Sequence, residues 1–515
     1  MSLAERTLQT NDYDRFSMRR FLEQAEAAGE LVIVDRPVEL SEVAKILYET
    51  PKAVWFKAAG PEKQELVGNV AGTRALIALA FGVEPIQLGL EVLRRLDNKP
   101  EIIEVAQGDA PVQEVVLLGD DADLTALPVH LQHGFDGGPY ISASMDIAKN
   151  PATGFYNSGM RRLMLRGRRE AGVDLQAPSD LREIYKATVA RGEKLPVSFV
   201  IGSSPIDHVS SVLRFPRDEL GMVSSLREAP LAVVKCVTND LMVPADAEMI
   251  LEGYFDAAGY VEAEGPYGEF LGHYGPVKIN PIFRLTAITR RRDAIFQTST
   301  ISGHHLERTD TSQLNAVRTE AMVWSTLRTV ARDPVAIHMT ASSGGGMNLR
   351  IALRQSAPGE ARNVIAAMFG CPAGVKHVFV VDPDVDVTSD SQMDWALATR
   401  FQADRDLVVQ GGFRWTFMDP SVQGATIGSK AGFDCTKPFG SGNSLESRIP
   451  EVPKWQGKRF ASLAAALDDG PKFFEELMVA VGSHDGREVV RELEAQRQAG
   501  RLARDKDGRW MRPNK

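Results

Sequence analysis

The stretch Glu264-Gly265-Pro266-Tyr267-Gly268-Glu269 sets two carboxylates around a stiff four-residue turn. On a straight strand, residues five apart point to opposite faces. The Gly-Pro-Tyr-Gly insert breaks that alternation, because proline fixes φ and each glycine admits conformations closed to other residues. Both carboxylates can then converge on one pocket. Two acids held close titrate as a coupled pair, so one keeps its proton near neutrality while the other stays ionised. That arrangement suits a proton donor beside an orienting base. The six residues alone also describe a surface turn with two solvated acids.

A second stretch bears on the choice. Upstream stand Gly137-Gly138-Pro139-Tyr140-Ile141-Ser142-Ala143 and then Asn157-Ser158-Gly159-Met160-Arg161-Arg162. The asparagine and arginine five apart resemble the N-x-G-x-x-R stretch of the UbiD family of reversible decarboxylases, and Glu264–Glu269 resembles that family's E-G-P-Y-G-E signature. Between them, Arg217-Asp218-Glu219-Leu220 and Leu226-Arg227-Glu228 resemble its D-E-x(6)-L-R-G segment, with Glu228 in place of the glycine. Val243-Pro244-Ala245-Asp246-Ala247-Glu248 with Leu251-Glu252-Gly253, and Gly428-Ser429-Lys430-Ala431-Gly432-Phe433-Asp434, look like two further family segments. Each motif is weak alone. Their order and spacing, over residues 15–450, make the set strong.

Composition is consistent with that resemblance. The chain has 515 residues, 43% of them hydrophobic and 25% charged, as in a soluble multidomain protein. A net charge of −9 argues against nucleic acid or an anionic membrane as partner. Cys236, Cys371 and Cys435 are too few and too scattered for a disulfide framework or a zinc site, and read as buried thiols. Met1–Glu30 has no apolar core of a signal peptide, and no apolar run is long enough to span a membrane. A cytoplasmic location is expected.

Taken in order, Ser17 caps a helix ending at Gly29, Leu31–Val34 is a strand, Ser41 caps a second helix, and Ala53–Phe56 is another strand. This N-terminal α/β segment, residues 1–115, carries no chemical motif. Strand-like runs then recur at Tyr140–Ala148, Arg162–Arg166, Val197–Ile201, Leu231–Val237, Ile282–Thr289 and Ala294–Thr300. Their spacing argues for a barrel-like domain over 116–312. A linker helix over 313–332 leads to a C-terminal α/β domain, 333–485, and a charged helical tail, 486–515. The fold class is therefore α/β, in several domains. Ser342–Gly346 reads as a tight turn, lacking a phosphate-loop signature. Asp382, Asp384 and Asp386 lack the glycine and glutamate of a calcium loop, and are placed ahead of a helix at Met393–Phe401.

A decarboxylase must hold the electrons left behind by carbon dioxide, which side chains do poorly, so a cofactor is required. The resemblance implies a central split β-barrel that binds prenylated FMN, with a divalent metal such as Mn2+ and a monovalent K+ or Na+ at its phosphate. It implies Asn157 and Glu219 as metal ligands, Lys430 as a cofactor contact, and Arg162, Glu264 and Glu269 as the catalytic trio. Arg162 orients the leaving carboxylate, and Glu269 protonates the product carbon. The family's third metal ligand is a histidine about 20 residues beyond the arginine. This chain has none there, and Gln176 or Asp180 stands as the oxygen donor. The implied substrate is an aromatic, heteroaromatic or α,β-unsaturated carboxylic acid. The implied partners are a flavin prenyltransferase and further copies of the chain. His133 reads equally as a residue near the cavity and as a structural one; His304 and His305 are set on the surface. A flavin oxidoreductase on the same barrel, or a non-catalytic subunit, would not need that trio.

Overall fold

The structure, a computed structural model, describes residues 13–416, 418–440 and 445–513. It forms two compact units. The first runs to Ser356 and resumes over Glu360–Cys435; the second is Ala357–Gly359 with the chain from Thr436 onward.

The first unit is built around a closed barrel of six strands: Tyr140–Lys149, Tyr156–Gly167, Glu170–Val173, Leu195–Ile201, Met249–Phe255 and Ile282–Arg290. Closure comes from the last of these, which pairs antiparallel with both Glu170–Val173 and Met249–Phe255. Leu163, Val173, Val197, Leu251 and Leu285 alternate inward along their strands and share one core. At its centre the rings of Phe199, Phe255 and Phe283 meet edge to face, with centroids 4.9–6.4 Å apart. On the outer face Met145, Ile147, Val200 and Ile250 are covered by Leu220 and Val223 of the helix Glu219–Arg227. The strand Met249–Phe255 was not among the sequence expectations. Glu252 and Gly253 interrupt its apolar pattern, and the ladder register shifts between them.

The N-terminal sheet pairs Leu31–Val34, Ala53–Ala59 and Gln64–Gly68 with Phe296–Gln297, which returns from the barrel. The first helix begins on Ser17, whose hydroxyl accepts from Arg20 N–H, and stops at Gly29 in the left-handed region. The second helix is capped by Glu39 rather than Ser41, two residues earlier, and the Glu42 carboxylate accepts from Glu39 N–H at 3.2 Å. A helix over Asp310–Leu327 leads to a five-stranded sheet that includes Pro334–Met339, His377–Val381 and Ile427–Cys435. The glycine-rich stretch before that sheet's second strand is a tight turn. A Cβ on Gly345 would lie 2.1 Å from the Ser312 carbonyl oxygen. Asp382 and Asp384 do not serve the start of the next helix. Both pair with Arg400 at its far end, where a cation suits the helix C-terminus.

The second unit packs three helices, Leu463–Asp469, Phe474–Val481 and Arg487–Gln498, around Leu463, Leu477, Val489 and Leu493. Among the described residues no single helix is long and apolar enough to cross a membrane. The bent pair Arg74–Phe81 and Pro85–Leu96 passes by length and composition, but Ile77, Phe81, Leu88 and Val92 lie in a core.

Arg227 anchors the outer helix layer. Its guanidinium lies 2.7 Å from Asp207 and 2.6 Å from Asp246, all three side chains being buried. Burial raises the Asp207 carboxyl above its usual range despite Arg227. Arg227→Met leaves two buried acids without a counter-ion, and is expected to cost about 3–5 kcal/mol. The midpoint of urea unfolding reads that loss; an unchanged midpoint would contradict this account of the triad.

Candidate active site

Arg162 sits on the second barrel strand, with its side chain largely shielded from solvent. Its Nε lies 3.0 Å from Glu264 Oε1 and its Nη2 3.3 Å from Glu264 Oε2, a two-point grip on one carboxylate. Its Nη1 lies 2.9 Å from Glu269 Oε1. The convergence expected from the turn is therefore present. Glu264 ends the short strand Glu262–Glu264, which pairs with Lys278–Asn280; Tyr267–Gly268 pairs with Tyr274–Gly275. The turn between them carries a cis Gly265–Pro266 bond, with Gly265 at φ 95°. Arg162 lies 4.5 Å over the Tyr267 ring, which holds the guanidinium from its face.

The Gly137–Ala143 stretch clamps this turn. Gly137 N–H donates to the Pro266 carbonyl at 2.8 Å, and a Cβ on Gly137 would lie 2.3 Å from the Gly265 carbonyl oxygen. Asp136 accepts from Gly268 N–H at 2.9 Å and contacts His133 at 3.0 Å. Gly275 leaves room for Glu269, whose Oε1 would be 2.8 Å from an added Cβ. Gly137→Ala must displace the turn. Misplacing catalytic groups by about 1 Å costs on the order of 10² in rate, so turnover is expected to fall by about that factor with the fold retained. Parallel measurements of kcat and melting temperature check this.

Sequence reasoning missed three members of the network. Asp174 Oδ2 lies 3.1 Å from Arg162, and Lys278 Nζ lies 2.6 Å from Asp174 and 3.4 Å from Glu269. Asn280 Nδ2 donates to Glu264 at 3.2 Å. Two cations thus face three carboxylates, and one negative charge is in excess when all are ionised. Burial disfavours that excess, so the site has use for one proton. Burial pulls the Arg162 guanidinium down, but Glu269, Glu264 and Asp174 outweigh it and hold it well above its ordinary value. Burial pushes Asp174 up, and Arg162 and Lys278 outweigh it to hold the carboxyl below its usual range.

A second polar cluster lies on the same strand. Asn157 donates to Asp146 at 3.1 Å, and Arg161 Nε lies 3.0 Å from the other oxygen of Asp146. Ser158 N–H donates to the Glu219 carboxylate, while Asp218 caps Glu219–Arg227 and accepts from Tyr156 N–H at 2.8 Å. Arg161 and Arg162 therefore serve different clusters. Burial raises the Asp146 carboxyl to about 6. Burial raises Glu219 to about 8, with Asp146 and Asp180 adding to the effect. Beside the turn, a cleft is lined by Tyr48, Gln132, His133, His305 and Arg308 among others. Gln132 accepts from the Tyr267 hydroxyl, and His133 stands edge-on to the same ring, so this cleft shares a wall with the turn.

Three family models match in order: the N-terminal domain of 3-octaprenyl-4-hydroxybenzoate carboxy-lyase over residues 22–96, its Rift-related domain over 103–305 and its C-terminal domain over 312–435. The chain belongs to the UbiD family. The UbiD-family protein is a carboxy-lyase that acts as a decarboxylase. Among its relatives, anhydromevalonate phosphate decarboxylase of Methanosarcina mazei is 30% identical over 428 residues, covering 81% of this chain and 96% of that one. The UbiD-class enzyme HmfF from Pelotomaculum thermopropionicum, solved with FMN, is 30% identical with a TM-score of 0.80, covering 85% and 98%. An evolved dimeric form of HmfF, solved with prenylated FMN, is 29% identical with a TM-score of 0.76, covering 85% and 97%.

The departures from the family pattern have structural readings. Glu228 occupies a left-handed position, φ 52°, where a glycine is unstrained, and its carboxylate is held 2.9 Å from Arg94. Gln176 donates its amide to the Ile279 carbonyl at 2.5 Å, whereas the charge of Asp180 acts on Glu219. No group of three His, Cys, Asp or Glu poised for a metal occurs among the described residues. Lys430 lies buried on the strand Ile427–Cys435. Its Nζ donates to the Phe369 carbonyl at 2.7 Å and lies 4.9 Å from the Phe413 ring, and burial lowers its pKa.

Proposed function

We propose that this decarboxylase acts on an aromatic, heteroaromatic or α,β-unsaturated carboxylic acid with prenylated FMN as its electron sink. The observation that carries the reading is the Arg162 guanidinium bridging Glu264 and Glu269. Prenylated FMN, when bound, supplies the electron sink that a departing carbon dioxide requires. The side chains supply the rest. Arg162 receives the substrate carboxylate by exchanging its single contact to Glu269, while its two-point grip on the fully buried Glu264 stays. Released from Arg162, Glu269 takes up the one proton that the network favours and delivers it to the product carbon. Asp174, Lys278 and Asn280 hold the carboxylates in place.

Asn157, Glu219 and Asp146 offer oxygen donors of the kind that hard cations prefer. They are the side chains that would hold a divalent ion such as Mn2+ and a monovalent K+ or Na+, with Gln176 or Asp180 as the further donor. A flavin prenyltransferase would supply the cofactor, and the chain would work as a homo-oligomer. Native mass spectrometry after co-expression with a prenyltransferase, paired with carbon dioxide release from a panel of such acids, tests the reading. The expected result is noncovalent prenylated FMN together with turnover. Full activity with unmodified FMN alone would sink it.

A further inference from the structure

The second unit has a topology of its own. The helix Leu463–Asp469 is followed by a bridge residue, Lys472, then the helices Phe474–Val481 and Arg487–Gln498, then a hairpin of Ala503–Arg504 with Trp510–Met511. Lys472 exchanges both backbone hydrogen bonds with Trp510, at 2.9 and 2.8 Å, so the second strand of the hairpin lies between Lys472 and the first. Helix, strand, helix, turn, helix and a two-stranded wing, in that order and pairing, make a winged helix-turn-helix. The turn is tight. Gly482 and Gly486 are both left-handed, and Gly482 N–H and Ser483 N–H close the preceding helix on the Val479 and Met478 carbonyls. A Cβ on Gly486 would lie 3.0 Å from Met478 Sδ. Leu477, Met478, Val489 and Leu493 join both helices in one core. The unit lies beyond residue 435, where the family-matched part of the chain ends, so the decarboxylase fold does not account for it.

The exposed side of the motif is basic. At about 100° per residue, Arg487, Arg491, Glu494 and Gln498 form the helix face opposite the buried Val489 and Leu493, and all four are exposed. Val490 and Arg497 lie on one flank of that face, Glu488 and Glu492 on the other. At the wing, Asp505 and Asp507 both pair with Arg509, and Asp505 also accepts from the Asp507 and Arg509 N–H groups. Lys506 stands exposed at the tip, and Arg504 lies over the Trp510 ring. Arg497, Arg501 and Lys506 are exposed and form no ion pair among the described residues. Over residues 487–515, nine Lys and Arg stand against five Asp and Glu, a net charge of +4 in a chain of −9, so the other residues carry −13. The whole-chain charge, which argues against nucleic acid, does not describe this unit.

We propose that the second unit binds duplex DNA, with the helix Arg487–Gln498 in the major groove and the wing on the adjoining backbone. The major groove of B-form DNA admits one α-helix, whereas that of duplex RNA is too deep and narrow for side chains to read. The second helix of a helix-turn-helix is the one that enters the groove. Arg487 and Arg491 carry the fork that suits guanine edges, Glu494 can accept from a cytosine amine, and Val490 can meet a thymine methyl. Arg497, Arg501, Arg504 and Lys506 supply the phosphate contacts that set affinity without reading sequence.

The test is fluorescence anisotropy of the full-length protein with a fluorescein-labelled DNA duplex of mixed sequence, roughly three helical turns long. One strand of that duplex and the RNA duplex of the same sequence are the comparison probes. The wild type should bind the DNA duplex with a Kd on the order of 10⁻⁶–10⁻⁴ M at physiological salt, and at least roughly tenfold tighter than either comparison probe, because a helix that enters the major groove has no such groove in them. Arg487→Ala/Arg491→Ala should weaken duplex binding by roughly tenfold or more, and Lys506→Ala should lower the slope of log affinity against log salt by about 1. Lys506→Ala carries the test alone if melting curves show the helix variant misfolded. No binding of the duplex at low salt overturns the proposal. Equal affinity for the single strand also overturns it, since that is polyanion binding without a groove. Duplex binding unchanged in both variants overturns it too, and leaves the exposed helix face as a docking surface for protein.

Discussion

Glu269→Gln is expected to abolish carbon dioxide release while the flavin remains bound. Glutamine keeps the shape of the side chain, which matters because Gly275 leaves it little room. The amide oxygen can still accept from Arg162, so the geometry of the turn should survive. What is lost is the transferable proton, and with it the excess negative charge that makes the network bind one. Removing a general acid typically costs ~10²–10⁴ in rate. Flavin binding should be unchanged, because Asn157 and Glu219, proposed to hold the cofactor's cations, lie in the other cluster. Carbon dioxide release and deuterium incorporation into product are the two readouts. Near-wild-type turnover with the cofactor bound would mean that the turn does not supply the proton.

The turn was legible in the sequence because it is local. Two glycines and a proline between two acids specify a bend, and the bend decides where both side chains go. Arg162 was legible only through the ordered motifs, since nothing near it in the chain names its partners. Asp174 and Lys278 were not legible. Lys278 reaches the site because it lies opposite Glu264 in a three-residue ladder, and no periodicity marks so short a pairing. Asp174 stands beyond a strand pair whose register shifts between Leu165 and Gly167. The setting of Lys430, its amine on a backbone carbonyl among aromatic rings, was not legible either, because a motif marks the residue and not its neighbours. The strand Met249–Phe255 was hidden by Gly253, where the chain approaches the Arg284 carbonyl so closely that a Cβ would lie 2.1 Å away. Long amphipathic elements could be read one by one; the barrel's closure required pairings far apart in sequence.

Arg162→Lys is expected to fail as completely as Glu269→Gln, for a different reason. It preserves charge, so an account based on net electrostatics alone would predict a mild loss. The structure predicts otherwise, because the guanidinium uses three nitrogens at once, on Glu264, Glu269 and Asp174. An ammonium is a point charge on a flexible stem and cannot span three carboxylates. Glu264, fully buried, would lose its two-point grip, although the Asn280 amide would still donate to it. Turnover should fall by ~10²–10⁴, the cost of losing an orienting group in a proton-transfer site. Because the two residues act on one event, the double variant Arg162→Lys/Glu269→Gln should lose little more than the worse single one. Rates for the wild type, both singles and the double close the cycle. If the two losses multiply instead, Arg162 and Glu269 act on separate steps, and the bridge between them is structural rather than catalytic.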